Sequence, residues 1–212
     1  MRKAELVIVL GLAAALLAAP AAAQDTAAQE AACEAWSKDA KAAIPACTAL
    51  IASGRLAGED LANAYFNRGG ARFRGREYEP AFADFSETIR LDPTIARAWG
   101  NRAAVAIAMN RFDQAAADLG QAIALDPDAV TERATRCLVL LLADRPAEAL
   151  PDCDEAAKRA PGNSDVLGGR GAVHLRMGRP DLALADFEAQ LRAAPGLADA
   201  LYGRGVARAM QG

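Results

Sequence analysis

Apolar and small residues recur at helical spacing through most of the chain. Between residues 62 and 197, a bulky apolar residue follows an alanine four positions later in each of four segments, so both lie on one face of a helix. Ala81 with Phe85 and Ala115 with Leu119 are two examples. Runs of Val, Ile and Thr that would favour strands are scarce in the 212-residue chain. The pattern predicts an all-helical protein.

This helical pattern repeats with a fixed period. An arginine fills one slot of the repeat five times, and an alanine, an aspartate and a proline each fill a further slot four times. The residue after each arginine is small, and the residue after each aspartate is apolar. A fixed period of this kind is typical of a solenoid of stacked helical hairpins. The recurring residues, each 34 positions from the last, are Arg68, Arg102, Arg136, Arg170 and Arg204; Ala81, Ala115, Ala149 and Ala183; Asp84, Asp118, Asp152 and Asp186; and Pro93, Pro127, Pro161 and Pro195.

Each slot has a physical role in a pair of antiparallel helices. The small residue and the alanine let two backbones approach closely, the bulky residue fills the layer beside them, and the proline ends the second helix. In this order the slots resemble those of the tetratricopeptide repeat family over Ala62–Leu197. The resemblance is fullest at Trp99, Ala103, Ala115, Leu119, Ala122 and Pro127. It implies an all-α fold, a right-handed α-solenoid of helix-turn-helix repeats.

The repeats divide the chain into predicted segments. These are 1–23 as a signal peptide, 24–61 as a degenerate helical hairpin, 62–95, 96–129, 130–163 and 164–197 as four tetratricopeptide repeats, and 198–212 as a half repeat. The half repeat either caps the stack or marks a chain cut short within a repeat. In the N-terminal hairpin, "EAACEAWSKDA" from Glu30 is expected to form the first helix and "AIPACTALIAS" from Ala43 the second. Residues 24 to about 31 are expected to lack regular structure.

The first 23 residues have the features of a secretory signal. Arg2 and Lys3 precede an apolar run, Leu6–Ala19, and small residues lead to the expected cleavage site after Ala23. The run is shorter than the roughly 20 residues that a membrane-spanning helix needs. We therefore expect a mature protein without stable membrane insertion, located in the periplasm or secreted.

Four cysteines form two local pairs in the sequence. Cys33 and Cys47 lie in the N-terminal hairpin, and Cys137 and Cys153 lie in the third full repeat. Because an exported chain meets an oxidising compartment, the spacing favours two disulfides, each within one hairpin. A zinc site is disfavoured because zinc needs four convergent ligands. The only histidine, His174, is in another unit and is interpreted as a core residue, so no metal or other cofactor is predicted.

The arginine and aspartate columns predict a structural ladder. Arg68 and Asp84 flank the turn of one hairpin, so their side chains come to similar heights on facing helices. A pairing across the boundary between units, which joins Asp84 to Arg102, also fits the spacing. In either arrangement a half-buried guanidinium has the carboxylate that it needs. The alternative is that the arginines line a groove and bind an acidic ligand.

The family resemblance also implies a concave groove, lined by the first helices, that receives an extended peptide or a helix of a partner. Some family members grip the peptide backbone with asparagines one place before the arginine slot. Only the first two full repeats have them here, because Thr135, Gly169 and Gly203 follow at that slot. For the apolar members, the alternative is packing between neighbouring first helices. The predicted groove residues are Phe66, Asn67, Phe73, Asn101, Ile107, Leu138, Leu141, Leu175 and Tyr202.

Charge and the absence of catalytic patterns narrow the function. A formal net charge of -3 argues against nucleic acid, which needs a basic face. Residues 24–212 offer neither a nucleophile beside a base nor a phosphate-binding glycine loop, so no enzyme activity is expected. The sequence predicts a protein–protein interaction adaptor or scaffold of the bacterial cell envelope. The alternative is a binding module of a larger envelope enzyme that is truncated after Gly212.

Overall fold

The computed structural model describes residues 21–212, with side chains described from residue 25 onward. Residues 1–20 of the predicted signal peptide lie outside this range. The described residues contain no strand, and the predicted all-α solenoid is confirmed. Their elements are α1 (Ala21–Glu34), a 3₁₀ turn (Ala35–Ser37), α2 (Ala40–Ala52), α3 (Gly58–Arg74), α4 (Tyr78–Leu91), α5 (Ala96–Ala108), α6 (Phe112–Leu125), α7 (Val130–Leu142), α8 (Pro146–Arg159), α9 (Ser164–Arg176), α10 (Pro180–Ala193) and α11 (Ala198–Gln211).

The N-terminal hairpin differs from the sequence prediction. Residues 24–31, expected to lack regular structure, lie within α1, because alanine and glutamine favour the helix over this stretch. The predicted first helix from Glu30 instead contains the end of α1 and the 3₁₀ turn. It cannot run on into α2, since the Asp39 carboxylate accepts a hydrogen bond from the Ala42 N–H at 3.0 Å and caps a new helix there.

The four full hairpins, α3–α4, α5–α6, α7–α8 and α9–α10, use the same turn. In each hairpin the turn residue has a left-handed backbone, with φ between 57° and 67° at Arg76, Asn110, Asp144 and Gly178. The next N–H donates to a carbonyl five residues earlier, as from Glu77 to Arg72 at 2.9 Å, which closes the last turn of the first helix. The second helices end two residues before the repeated proline, because the residue before a proline disfavours helical backbone.

The small and bulky slots of the repeat meet inside the hairpins. A Cβ atom placed on Gly69 would lie 3.1 Å from the Phe85 ring, and one on Gly171 would lie 2.9 Å from the Phe187 ring. Glycine therefore lets a phenylalanine of the second helix lie against the backbone of the first. Ala81, in the alanine slot beside Phe85, is fully buried. This close packing forms the core between the two helices of each of these hairpins.

The arginine and aspartate columns pair within each hairpin. Four arginines each donate from Nε and Nη2 to the two oxygens of one aspartate, at 2.6–3.0 Å. The pairs are Arg68 with Asp84, Arg102 with Asp118, Arg136 with Asp152, and Arg170 with Asp186. The aspartates are only 1–4% exposed, so each carboxylate depends on its arginine for charge compensation. Of the two pairings that the spacing allows, the structure has the one within the unit.

Three of these arginines also reach the preceding hairpin through Nη1. Arg68 donates to the hydroxyl of Thr48 at 3.2 Å, and Arg102 donates to that of Ser86 at 3.1 Å. Arg170 donates to Asp154 at 3.4 Å. The third donor nitrogen thus links a hairpin to its neighbour, while the other two hold its own helices together.

The structure joins the cysteines in two disulfides. Cys33 and Cys47 connect α1 to α2, with Cα atoms 4.9 Å apart. Cys137 and Cys153 connect α7 to α8, with Cα atoms 5.4 Å apart. Both cross-links lie within one hairpin, where they limit the separation of its two helices.

Candidate protein-binding groove

A groove of about 1120 Å³ lies between α7, α9 and α11. We call it the main groove. Its walls carry Leu142 and Tyr202, which are 61% and 77% exposed. Large apolar side chains held open to solvent are typical of a surface that another molecule covers. The apolar lining includes Leu138, Leu141, Leu142, Leu175, Tyr202 and Val206.

Glycines on the first helices make the main groove deep. A Cβ atom on Gly168 would lie 2.6 Å from Gln190 Nε2, and one on Gly203 would lie 2.5 Å from the Phe187 ring. Because these positions lack side chains, Phe187 and Gln190 of α10 reach the floor between α9 and α11. The floor is therefore formed by α10, the second helix of its hairpin, and the walls are formed by the first helices α7, α9 and α11.

Gln190 supplies a polar point on this floor. Its Nε2 donates to the Ser164 carbonyl at 2.6 Å, which fixes the orientation of the amide. Its Oε1 is buried without a hydrogen-bond partner among the described residues. A buried acceptor left in this way costs stability.

The rim of the main groove is acidic. Asp165 and Asp199 lie in the first turns of α9 and α11, both exposed, and neither has an ion-pair partner within residues 25–212. A third rim carboxylate, Asp144, pairs with Arg176. Two uncompensated negative charges at one end favour a ligand that brings positive charge to that end.

Three other predicted groove residues line a second cavity. This N-terminal cavity, of about 400 Å³, is lined by Phe66, Asn101 and Ile107, together with Trp36 from the 3₁₀ turn. Thr131 and Thr135 of α7 line both this cavity and the main groove, so the two adjoin.

Trp36 covers part of the surface that α3 was expected to contribute. A Cβ atom on Gly70 would lie 2.7 Å from the Trp36 ring, and the ring meets Phe66 edge to face with centroids 6.4 Å apart. The glycine at position 70 therefore creates a seat for the tryptophan. Sequence reasoning missed this contact, because the 3₁₀ turn has no helical periodicity. In the sequence, only the adjacent glycines Gly69 and Gly70 indicated that a large side chain could pack closely on α3.

The remaining two predicted groove residues lie elsewhere. Asn67 lines a third cavity, of about 310 Å³, beside Cys33 and Leu50. Phe73 packs against Tyr78, with ring centroids 6.0 Å apart, in the core cluster around Phe85. Asn67 and Asn101 therefore do not share a cavity, and Phe73 serves the packing of its own hairpin.

His174 lies in the core, as the sequence interpretation expects. Its side chain is 8% exposed, and Nε2 lies 3.9 Å from Asp186 Oδ2. Burial lowers the pKa of His174, against the opposing effect of the nearby Asp186 carboxylate. The part of the chain that the structure describes contains no cluster of residues suited to a metal ion. None of its helices is long and apolar enough to span a bilayer.

Comparisons with known proteins agree with this architecture. The tetratricopeptide repeat family matches residues 96–129. Among solved structures, YrrB, described as "a TPR protein with an unusual peptide-binding site", is 23% identical with a TM-score of 0.68, covering 78% of this chain and 83% of that one. A tetratricopeptide repeat protein from Parabacteroides merdae is 15% identical with a TM-score of 0.77, covering 89% and 74%. MamA is 17% identical with a TM-score of 0.72, covering 80% and 92%. No curated protein matches the sequence.

A helical solenoid with an apolar groove between its first helices has the architecture of a protein-interaction scaffold. One of its repeats matches the family directly, and the solved structures that resemble it share its fold. The chain therefore contains a tetratricopeptide repeat at residues 96–129 and has the fold of solved tetratricopeptide repeat proteins.

Proposed function

We propose that this protein is a non-enzymatic adaptor of the bacterial cell envelope that binds a peptide or helix of a partner protein in the main groove. The observation that carries the proposal is the exposure of large apolar side chains there, Leu142 at 61% and Tyr202 at 77%. Burial of such surface drives association at roughly 25 cal/mol per Å² before the costs of binding are subtracted. Apolar grooves on helical proteins bind amphipathic helices or extended segments.

The chemistry of the groove defines the partner segment. Its apolar side chains would pack against the leucines of α7 and α9, and a basic residue at one end would meet Asp165 or Asp199 on the rim. The peptide-binding site named for YrrB, a protein of the same fold, agrees with this type of ligand.

The envelope location rests on two features of the chain. The first 23 residues resemble a secretory signal, and the four cysteines of residues 25–212 are all in disulfides. N-terminal sequencing of the protein from an envelope fraction should begin at Gln24. A sequence that begins at Met1 would contradict the export proposal.

Photocrosslinking tests groove binding directly. Benzoylphenylalanine is placed at position 142, in the main groove, or at position 182, where Leu182 is similarly exposed on α10 outside it. After irradiation in an envelope extract, the proposal expects a discrete protein adduct at position 142 and none at position 182. Identical adducts at both positions, or none at position 142, would overturn it.

A further inference from the structure

The N-terminal cavity has a positive charge at its edge, whereas the rim of the main groove is acidic. Arg97, in the first turn of α5, lines this cavity and is exposed. It forms no ion pair or hydrogen bond with any other residue within 25–212. Helices α3 and α7 flank α5 and line the same cavity, so this surface lies within the repeat array and its exposure does not depend on α11.

An aromatic ring holds Arg97 in place at the cavity. Its Cζ lies 5.6 Å from the centroid of the Phe66 ring, which Trp36 in turn contacts edge to face. A cation–π contact of this kind leaves the N–H donors of the guanidinium free for hydrogen bonds. Arg97 is therefore positioned to bind a carboxylate without first giving up another one.

The charges along one rim change sign between α5 and α9. Arg97 and Asp165 occupy the same slot two repeats apart, with the neutral Thr131 between them and Asp199 one repeat further on. Glu132, next to Thr131, lines the N-terminal cavity but forms no ion pair with Arg97. Along this rim the charge is positive at α5 and negative from α7 to α11.

One bound segment can reach charges of both signs. Thr131 and Thr135 line both the main groove and the N-terminal cavity, so a segment in one can continue into the other. Since neighbouring packed helices lie roughly 10 Å apart, Arg97 and Asp165 are separated by about 20 Å along the rim. An extended chain covers that distance in about six residues, and a helix covers it in about 13 residues.

We propose that Arg97 determines which segments bind: the partner segment has an acidic residue at the end in the N-terminal cavity and a basic residue at the end beside Asp165 and Asp199. This inference rests on the proposed function, because the apolar middle of the segment would occupy the main groove. Opposite charges at the two ends fix the direction of the segment and disfavour segments with like charges at both ends. The formal net charge of the chain is -3, so attraction by net charge alone would favour basic residues at both ends.

A phage-displayed library of random peptides about 16 residues long serves as the probe, since this length covers the rim in either conformation. The library is selected in parallel on the immobilised wild-type protein and on three variants, and the enriched peptides are sequenced. Arg97→Glu reverses the charge at the N-terminal cavity. Arg192→Glu makes the same change at an exposed position on α10, outside both cavities. Leu142→Glu disrupts the main groove.

On the wild type, the enriched peptides should have an apolar middle, a basic residue on one side and an acidic residue on the other. The acidic residue should be at least about threefold more frequent there than in the starting library, because a carboxylate is the group that pairs with Arg97. Selection on Arg97→Glu should lose this enrichment and favour basic residues on both sides. Selection on Arg192→Glu should give the wild-type pattern.

Three results would overturn the inference. The first is a set of wild-type peptides without the acidic enrichment. The second is an enrichment that persists on Arg97→Glu, as expected if Glu132 already neutralises Arg97. The third is an equal loss on Arg192→Glu, which would indicate an effect of net charge alone.

The Leu142→Glu selection separates this inference from the proposed function. If it recovers the same peptides as the wild type, the main groove is not the binding site and the proposed function fails. If it loses those peptides and they lack an acidic end, the main groove binds as proposed and only the role of Arg97 is wrong.

An exchange of charges provides an independent measurement. One enriched peptide is synthesised with its acidic residue or with lysine in that place, and each form is titrated in a fluorescence anisotropy assay. The acidic form should bind the wild type at least about tenfold more tightly than the lysine form, and the order should reverse on Arg97→Glu. The same order on both proteins would contradict direct contact between the acidic residue and Arg97.

Discussion

Arg102 donates two hydrogen bonds to the carboxylate of Asp118, from Nε at 2.8 Å and from Nη2 at 2.7 Å, across the hairpin of α5 and α6. Asp118 is 1% exposed, so the arginine replaces the water that the carboxylate loses on folding. Gln114 donates a third hydrogen bond at 3.0 Å. Like Arg102, the column members Arg68, Arg136 and Arg170 pair with an aspartate of their own hairpin, which disfavours the alternative that these four arginines bind an acidic ligand.

Replacement of Arg102 by leucine should lower the free energy of unfolding by on the order of 3 kcal/mol, because Asp118 is then left buried without a counter-charge. Urea unfolding of Arg102→Leu, Asp118→Leu and the double variant measures the coupling between the two residues. The same cycle with Asp84 is the control, since Asp84 pairs with Arg68 and Arg72. We expect strong coupling to Asp118 and almost none to Asp84. Coupling near zero in the first cycle would show that the pair does not support the fold.

The arginine pairs illustrate how far sequence reasoning reached. The fixed period of the sequence predicted the helices and placed Arg102 and Asp118 opposite each other. Both predictions succeeded because helix formation and the facing of these two residues depend on the residues of one hairpin. The period could not choose between pairing within a unit and pairing between units, because that choice depends on how the helices pack. The packing of Trp36 on Gly70 could not be predicted from the sequence either, because it also depends on how the helices pack. The predicted groove residues lie in different cavities, and Trp36 lines the one that contains Phe66, Asn101 and Ile107.

Two glycines of α11 should respond to alanine in opposite directions. At Gly203 a Cβ atom would lie 2.5 Å from the Phe187 ring, so Gly203→Ala should destabilise the protein by on the order of 1 to 3 kcal/mol. At Gly205 nothing lies within 4 Å, so Gly205→Ala should stabilise the helix by about 0.5 to 1 kcal/mol. Thermal or urea unfolding of the two variants checks this. Equal effects of the two changes would contradict the packing at Phe187.

The disulfide between Cys137 and Cys153 should contribute about 3 kcal/mol, as expected for a closed loop of this length. The variant with both cysteines replaced by alanine should lose this amount in urea unfolding under oxidising conditions. Under reducing conditions the wild type should lose more than this amount, because reduction also opens the Cys33–Cys47 disulfide. Mass spectrometry of unreduced peptides should recover Cys33 with Cys47 and Cys137 with Cys153, and a crossed pairing would show that the hairpin cross-links are wrong.

His174 should make stability depend on pH. Because burial lowers its pKa in the folded state, the unfolded chain binds the proton more readily. The contribution of neutral His174 to the unfolding free energy is fully present above the unfolded pKa of about 6.5. It is lost as the pH falls from there through the lower pKa of the folded state. His174→Leu is a suitable control, since Leu140 fills the same slot of α7. The unfolding free energy of the wild type minus that of the variant should fall as the pH drops below about 6.5. A difference that does not change with pH would contradict the buried, neutral state of His174.

The main groove is the centre of the functional account, and one matched pair of variants tests it most directly. Leu142 is 61% exposed in the main groove, and Leu182 is 50% exposed on α10 outside it, so glutamate should be tolerated by the fold at both positions. The measurement is the affinity of the partner segment identified by crosslinking, by titration calorimetry. Leu142→Glu should weaken binding at least about tenfold, because a charge is placed against the apolar segment and the acidic rim is extended. Leu182→Glu should bind as the wild type does. Unchanged affinity for Leu142→Glu, or an equal loss for Leu182→Glu, would contradict the account.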